Sequence, residues 1–356
     1  MAPASPHLAR LGATARPAGG PGVAAARDYC AGVLRAAGFV VSEQSFEYSC
    51  FPGAWATPIA GVVIPAFATA LTLWRHTFAA WALVVVALAV ALPLIAYVAR
   101  AGVLDLPLMR RTGVNLQATR SSDSPTVWLV AHLDSKWQPV SMIARVAGVV
   151  VSAVALVAVT VTSLGPFVAP AGVLSALLVV QWLGAVPLML SVVGARNHGT
   201  LDNASGVAAV LEAADLLPSE ARVGVLVTDG EELALAGARA WARSHRPAIA
   251  LNCDSIDDNG LFTAMYTKSA PGRLLAHLSA AVSVDGERMR VIRLIPGILT
   301  DSVALADAGW ETVTLSRGNV RTLQRIHTSR DSLDTMRGTG IARAAQVLAR
   351  TATEIG

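Results

Sequence analysis

Four uncharged, apolar stretches interrupt the chain, and they fall into two close pairs. The first pair covers residues 55–74 and 78–99, and the second covers residues 146–164 and 167–194. A helix needs about 20 apolar residues to cross the hydrocarbon core of a bilayer, and each stretch meets or nearly meets that length. One such stretch would suit a buried core helix, whereas four in two pairs favour insertion into a membrane.

The connections within each pair are very short. Residues 75–77 join the first two stretches, and residues 165–166 join the other two. Short connections make neighbouring helices antiparallel, so we predict two transmembrane hairpins, at residues 54–100 and 142–194.

Basic residues are concentrated at one end of these hairpins. The distal turns carry Arg75, whereas the opposite side carries a larger set close to the helix ends: Arg100, Arg110, Arg111, Lys136, Arg145 and Arg196. Cytoplasmic flanks of membrane helices carry an excess of Lys and Arg. The sequence therefore predicts a multi-pass protein of the cell membrane, with everything outside the hairpins in the cytoplasm.

The rest of the chain alternates between strand and helix patterns. Helices are predicted at residues 23–37, 204–217, 233–244, 272–282, 301–308 and 338–355. Strands are predicted at residues 39–48, 114–118, 126–131, 223–227, 248–252, 289–294 and 312–316. This alternation predicts an α/β sheet covered by helices.

The predicted soluble domain is assembled from three pieces of the chain, residues 23–53, 101–141 and 195–356. Within it, the polar turn at residues 121–125 predicts that the strands on either side of it pair with each other. Residues 1–22 are rich in Ala, Pro, Gly and Arg and lack the apolar core of a signal peptide, so they predict a disordered tail.

Composition supports the membrane prediction and argues against a nucleic acid as a partner. Hydrophobic residues make up 54% of the chain and charged residues 15%, against roughly 25% charged residues in a soluble domain. The net charge is +4, but the basic residues are scattered rather than clustered with aromatics, which argues against nucleic-acid binding. Cys30, Cys50 and Cys253 lack metal-type spacing and predict reduced thiols.

Residue types that bind metals follow three of the predicted strands. They are His132 and Asp134 after the first, Glu231 and Glu232 after the second, and Asp254 after the third. Ligands of open α/β sheets bind beyond the carboxyl ends of the strands, so these side chains are expected near one edge of the sheet.

Two more candidates are Asp202, at the start of a predicted helix, and His327, in a late loop. Each acidic candidate has a structural alternative. Asp202 could cap its helix, Glu231 and Glu232 could be first-turn acids facing a helix dipole, and Asp254 could lie in a solvated turn. Taken together, imidazole and carboxylate groups from five separated segments predict a site for one or two zinc-like divalent ions.

Five motifs in this order resemble one family. They are AHLDS, LDNASG, DGEELALAGARAW, NCDSI and IHTSRDSLD, beginning at residues 131, 201, 229, 252 and 326. This set resembles the zinc exopeptidases of metallopeptidase family 28, which include leucyl aminopeptidase-like and aminopeptidase S-like enzymes and have glutaminyl cyclases as relatives. The resemblance covers roughly residues 23–50 and 110–356, without the second hairpin, and implies a mixed, mostly parallel central sheet flanked by helices.

The resemblance implies two zinc ions per chain and a set of ligands for them. His132 would bind one ion and His327 the other, and Asp202 would bridge both. Glu232 and Asp254 would each complete the protein ligands of one ion.

The resemblance also implies two residues that assist the chemistry. Glu231 would be the general base, which takes a proton from water and passes it to the leaving amine. Asp134 would orient His132, because a metal-binding imidazole commonly donates its other N–H to a carboxylate.

Three functions remain open from the sequence. The first is an aminopeptidase that hydrolyses peptides, the second is a glutaminyl cyclase-like transferase with one zinc ion, and the third is a non-catalytic membrane protein that keeps the fold for interactions. Ser302 and Ile326 stand where a His and an aromatic residue are common in the family, which bears on substrate specificity. The expected partners are a peptide substrate and the lipid bilayer, with the oligomeric state left open.

The predicted orientation can be tested with an epitope tag after Gly356. Because the positive flanks place this end in the cytoplasm, the tag should resist protease added to intact cells and be cleaved after permeabilisation. Cleavage of the tag from outside intact cells would contradict the orientation.

Overall fold

The computed structural model describes residues 4–101, 106, 108–120, 124–165, 169–294 and 298–356. Three sequence predictions fall partly outside these residues: the first three residues of the tail, the turn at residues 121–123, and the connection and helix start at residues 166–168. The chain divides into two compact units. The sheet unit comprises Met1–Cys50, Pro107–Trp137 and Gly194–Gly356, and the helical unit comprises Phe51–Leu106 and Gln138–Val193.

The sheet unit contains one sheet of eight described strands. They are β1 Val40–Ser49, β2 Arg110–Thr119, β3 Val127–His132, β4 Val223–Thr228, β5 Ile249–Ile256, β6 Leu261–Tyr266, β7 Met289–Arg293 and β8 Glu311–Gly318. Their spatial order is β1-β2-β4-β3-β5-β8-β6-β7.

Helices of the whole chain are numbered together. They are α1 Pro6–Leu11, α2 Pro21–Ala36, α3 Phe51–Leu73, α4 Phe78–Ala101, α5 Met142–Leu164, α6 Ala171–Met189, α7 Ser205–Leu216, α8 Ala236–Ala242, α9 Gly272–Ser283, α10 Asp301–Asp307, α11 Val320–Arg325 and α12 Ile341–Ile355. Helices α3–α6 form the helical unit, and the others belong to the sheet unit.

The centre of the sheet is parallel and its flanks are mixed. Strand β3 pairs in parallel with β4 and β5, and β5 pairs in parallel with β8. The pairs β1–β2, β2–β4 and β6–β8 are antiparallel, and β6–β7 is parallel. The predicted mixed, mostly parallel sheet flanked by helices is therefore confirmed.

The predicted pairing of residues 114–118 with residues 126–131 is wrong. Strand β2 pairs with β1 and β4, so β4 lies between the two strands that the polar turn was expected to join. The reason lies in burial, because every residue of β3 and of β4 is buried. Strands that are apolar on both faces occupy the centre of a sheet, whatever the length of the loop that precedes them.

Sequence patterns missed β6 and the short helices α1 and α11, and they placed the start of α8 too early. A short turn at Glu231–Leu233 precedes α8. Ala234 and Leu235 then have φ values of 83° and 57°, which break the helix before Ala236. Such left-handed conformations are uncommon for residues other than Gly, and an Ala- and Leu-rich sequence gives no sign of them.

The predicted disordered tail is wrong for residues 4–22. Ser5 caps α1 by accepting a hydrogen bond from the Leu8 amide, and Leu8 and Leu11 are buried. Arg16 is also completely buried. Composition alone suggested disorder, but a few well-placed apolar side chains and one arginine are enough to fix this segment on the sheet unit.

In the helical unit, all four helices are long and apolar enough to cross a membrane by length and composition. Ala68, Leu71, Ala80 and Val159 form part of its buried core. A Cβ atom on Gly148 of α5 would lie 2.8 Å from the Gly184 carbonyl oxygen of α6. Small residues therefore let these two helix backbones approach closely.

Candidate metal centre

Three neighbouring parallel strands end at the same edge of the sheet, and candidate ligands lie at or near the carboxyl end of each: His132 ends β3, Glu231 and Glu232 follow β4, and Asp254 lies near the end of β5. The order of these strands is β4, β3 and β5, and His132 lies directly opposite Thr228 in the β3–β4 pairing. Since the carboxyl ends of parallel strands meet at one edge, the candidate side chains at the ends of β3, β4 and β5 converge there.

Asp202 lies in a tight loop at Thr200–Ala204, where its own φ and ψ of −116° and 90° are not helical. The peptide bond between Asp202 and Asn203 is cis. The carboxylate of Asp331 accepts hydrogen bonds from the Leu201 amide at 2.5 Å and from the Asp202 amide at 3.2 Å. A distant carboxylate therefore fixes the backbone that presents Asp202.

Asn203 joins this loop to β5. Its side-chain nitrogen donates to the Cys253 carbonyl oxygen at 2.9 Å, and its side-chain oxygen accepts from the amides of Gly206 and Ser255 at 2.9 and 3.1 Å. A Cβ atom on Gly206 would lie 2.4 Å from the Cys253 carbonyl oxygen, so this close approach requires glycine. The Asp202 loop is therefore held against the strand that leads to Asp254.

The candidate ligands form two groups of three buried side chains. One group contains His132, Glu231 and Asp254, and the other contains Asp202, Glu232 and His327; the possible ligand atoms within each group lie within 4.8 Å of one another. All the metal ligands expected from the sequence are therefore brought together, with Glu231 beside them.

Asp202 lies between the two groups. Its Oδ1 atom is 3.1 Å from Nε2 of His132, and its Oδ2 atom is 3.1 Å from Nε2 of His327. Glu232 lies on the His327 side, with Oε2 at 3.2 Å from Nε2 of His327. Asp254 lies on the His132 side, with Oδ1 at 3.8 Å from Nε2 of that residue. Each carboxylate oxygen of Asp202 thus faces a different imidazole, an arrangement suited to bridging two ions.

The structural alternatives for Asp202 and Asp254 do not fit this geometry, whereas Glu231 and Glu232 do lie in the first turn of a short helical segment. Helix α7 begins after Ala204 without a side-chain cap, so Asp202 does not cap it. Asp254 is only 7% exposed, so it does not lie in a solvated turn. His132 Nε2 and Glu232 Oε1 are buried and make no hydrogen bond to any described residue, as expected for atoms that face an ion. The donor set of imidazoles and carboxylates suits zinc.

The carboxylates of the centre differ in their pKa values because their electrostatic surroundings differ. Burial alone would raise the pKa of Asp202, but the imidazoles of His132 and His327, each 3.1 Å from one of its carboxylate oxygens, hold that pKa well below the ordinary value. Burial opposes ionisation of Glu232 as well, yet the positive charges of His327 and Lys136 lower its pKa to about 2. The centre therefore favours ionised carboxylates where cations are near.

Glu231 behaves in the opposite way. Burial raises the pKa of Glu231 well above its ordinary value, and the neighbouring carboxylates Glu232, Asp301 and Asp254 raise it further, against the opposing effect of His132. A carboxylate with a raised pKa is suited to taking up and releasing a proton.

Asp134 holds two segments of the centre through hydrogen bonds. Its two carboxylate oxygens accept hydrogen bonds from the amides of Glu231 and Glu232, both at 3.1 Å. Its main-chain oxygen lies 3.1 Å from Nδ1 of His132, and its Oδ1 atom lies 3.7 Å from the same nitrogen. Asp134 therefore holds the turn that carries both glutamates in addition to facing the imidazole.

Sequence reasoning missed four residues that build this centre. Asp331 and Asn203 lie inside the motifs that carried the resemblance, and Lys136 directly follows the first motif. Lys136 Nζ lies 2.5 Å from Oε2 of Glu232. The fourth is Asp301, which is buried, accepts a hydrogen bond from the Thr228 hydroxyl at 2.5 Å, and has a pKa raised by burial to about 7.

Two comparisons concern the sequence. The sequence model of peptidase family M28 matches residues 114–352 of the chain. No curated protein sequence matches the chain at a significant level.

Solved structures share the fold at low sequence identity. An aminopeptidase from Aneurinibacillus sp. strain AM-1 superposes with a TM-score of 0.58 at 14% identity, over 97% of this chain and 91% of that one. BSAP, a zinc aminopeptidase from Bacillus subtilis, gives 0.56 at 12%, over 98% and 93%. A glutaminyl cyclase from Porphyromonas gingivalis gives 0.55 at 15%, over 98% and 95%. The expected zinc exopeptidase-like fold is confirmed, and these identities establish the fold alone.

The role of Asp134 can be tested by replacing it with its amide. In Asp134→Asn one acceptor oxygen remains for two N–H donors, so we expect the affinity for zinc to fall by about 10- to 100-fold. Isothermal titration of the detergent-solubilised chain measures this, with Asp215→Asn as the control because Asp215 is exposed. Equal zinc affinities in the two variants would contradict the role of Asp134.

Proposed function

This chain belongs to peptidase family M28, and we propose that its buried centre holds two zinc ions and removes residues from the amino terminus of peptides. As a member of that family it is a metallopeptidase. The observation that carries the two-ion proposal is the Asp202 carboxylate, whose two oxygens lie 3.1 Å from the imidazoles of His132 and His327.

The proposed ligands divide between the two ions. His132 and Asp254 would hold one ion, His327 and Glu232 would hold the other, and Asp202 would contact both. When bound, the ions would supply Lewis-acid activation of the scissile carbonyl and of a water molecule.

Glu231 is the proposed general base. It would accept a proton from the attacking water and deliver it to the leaving amine. Its raised pKa supports this role, because burial strengthens the affinity of the Glu231 carboxylate for the proton that it has to accept from water. Adjacent residues can carry different roles here because Asp134 fixes both glutamate amides, which leaves the two side chains to point differently from the same turn.

An aminopeptidase is the favoured activity, with a peptide as substrate. The family assignment supports a peptidase, and two of the structures that share the fold are described as aminopeptidases. The intact Glu231 argues against a non-catalytic interaction module, since a scaffold requires no general base.

The helical unit is proposed to anchor the enzyme in the cell membrane as two hairpins. Its four apolar helices support this assignment by length and composition. The basic flanks other than Lys136, which is buried against Glu232, support a cytoplasmic position for the catalytic pieces of the chain.

A glutaminyl cyclase-like zinc transferase is the second candidate, and Lys136 favours it. The ammonium group lies 2.5 Å from Glu232, so one of the two ligand groups already contains a fixed positive charge. A site whose negative charge is partly balanced by an ammonium group needs fewer metal ions to balance the rest. In addition, a glutaminyl cyclase shares the fold.

Metal content separates these functions. We expect elemental analysis of the detergent-purified chain to give about two zinc ions per chain, and about one in His327→Ala, because that variant loses one imidazole ligand. His277→Ala is the control, since His277 pairs with Glu354 at 2.9 Å outside the centre. One tightly held zinc ion in the unaltered chain would favour the cyclase, and a folded chain without metal would favour the non-catalytic module.

The role of Glu231 is tested by Glu231→Gln. We expect this variant to keep its zinc content and to lose peptide hydrolysis by at least about 100-fold, since the amide cannot accept the proton of the attacking water. Glu220→Gln is the matched control, because Glu220 is exposed. Hydrolysis at the rate of the unaltered enzyme would overturn the proposed mechanism.

A further inference from the structure

Arg16 is a completely buried arginine in the segment that the sequence predicted to be disordered. Its guanidinium donates hydrogen bonds to main-chain carbonyl oxygens of five residues: Leu11, Thr14, Leu133, His198 and Gly199. Burial lowers its pKa to about 10, which still leaves the group charged at neutral pH. A buried charge is costly unless it is fully hydrogen-bonded, and here carbonyl oxygens satisfy it.

Three of these carbonyl groups belong to loops that carry candidate ligands. Leu133 lies between His132 and Asp134, and its oxygen accepts from Nε of Arg16 at 2.7 Å. The oxygens of His198 and Gly199 accept from Nη1 and Nη2 at 2.7 and 2.9 Å. These two residues begin the loop that leads to Asp202. A single guanidinium therefore joins the loop after β3 to the loop before α7.

Ser135 strengthens the same connection. Its hydroxyl accepts from the Arg16 amide at 3.0 Å and donates to the Asn197 carbonyl oxygen at 3.0 Å. The Ser135 amide donates to the Arg16 carbonyl oxygen at 2.8 Å. A Cβ atom on Gly199, whose φ is 57°, would lie 2.5 Å from Cβ of Ser135, so the two loops are in close contact at this point.

We propose that Arg16 is a positioning residue that sets the spacing between the loop of His132 and the loop of Asp202. This inference rests on the proposed metal site, because those two side chains are its expected ligands. An arginine suits the task because its planar guanidinium offers five N–H donors in a fixed fork, whereas a lysine offers one compact charge on a flexible stem. The amino-terminal segment is then a working part of the metal centre.

The same segment also contacts the loop that follows β4. Three residues after Arg16, the Gly19 amide donates to both carboxylate oxygens of Asp229, at 3.2 and 3.3 Å. Asp229 directly precedes the turn that carries Glu231 and Glu232. The segment therefore contacts three regions that carry candidate ligands or lead to them. These are the end of β3, the loop before α7 and the loop after β4.

The test compares Arg16→Lys and Arg16→Met with Arg10→Lys and Arg10→Met in the full chain in detergent. Arg10 is the matched control, because it lies in the same segment and is exposed. Hydrogen–deuterium exchange is measured first on metal-free protein. We expect residues 133–136 and 197–203 to lose protection in the Arg16 variants, while the buried strands β3, β4 and β5 keep theirs.

Metal binding is measured next. We expect the dissociation constant for zinc to rise by about 10- to 100-fold in the Arg16 variants and to stay unchanged in the Arg10 variants. At saturating cobalt, which suits the same ligands, the visible spectrum should also change. A role confined to fold stability would lower the melting temperature of the metal-free chain and leave both the zinc affinity and the cobalt spectrum unaltered.

Ser135→Ala provides a second variant that leaves the guanidinium in place. It removes one of the hydrogen-bonded links between the loops. We therefore expect smaller losses of exchange protection and of zinc affinity than in Arg16→Lys. Unchanged exchange in both loops, or zinc affinities within two-fold of the unaltered chain in Arg16→Lys, would overturn the role of Arg16. If the unaltered chain bound no zinc, the proposed function would fail, and local exchange would still decide whether Arg16 joins the two loops.

Discussion

A concentration of buried negative charge is the constraint on which this structure depends. Asp202, Glu231, Glu232 and Asp254 are each at most 7% exposed, and they lie within a few ångströms of one another. Carboxylates in such a place are stable only when cations or hydrogen bonds compensate the loss of water. The protein supplies two imidazoles and one ammonium group, and the two groups of ligand atoms suit metal ions for the remaining compensation.

Hydrogen bonds to main-chain amides hold the segments that carry these charged side chains. The Asp331 carboxylate accepts hydrogen bonds from the amides of Leu201 and Asp202. The Asp134 carboxylate accepts hydrogen bonds from the amides of both glutamates. These supporting carboxylates come from loops far apart in the sequence. The loop of Asp202 and the turn of Glu231 and Glu232 are thus each held by a carboxylate from another segment of the chain.

Hydrophobic periodicity and motif order were sufficient to predict the mixed sheet apart from β6, the helices apart from α1 and α11, and the candidate ligands that converge at the edge of the sheet. They succeeded because both depend on local sequence, namely apolar runs and the residues that directly follow them. They failed for the position of β2, which depends on burial of β3 and β4 from both faces. They also failed for Arg16, because its five partners lie in three separate segments and no local pattern marks them.

The chain leaves the sheet unit twice, and each of these two insertions contributes to the helical unit. The second one leaves the sheet unit after Trp137 and returns at Gly194, between the segments of His132 and Asp202. Trp137 and Gly194 exchange two backbone hydrogen bonds, at 3.1 and 2.8 Å, so the two ends of the insertion are joined. The first insertion leaves and returns where Ser49 pairs with Arg110, at the end of the β1–β2 ladder. Because each insertion begins and ends at an antiparallel pair, its two ends remain adjacent within the sheet unit, and the segments of His132 and Asp202 can converge despite the second insertion between them.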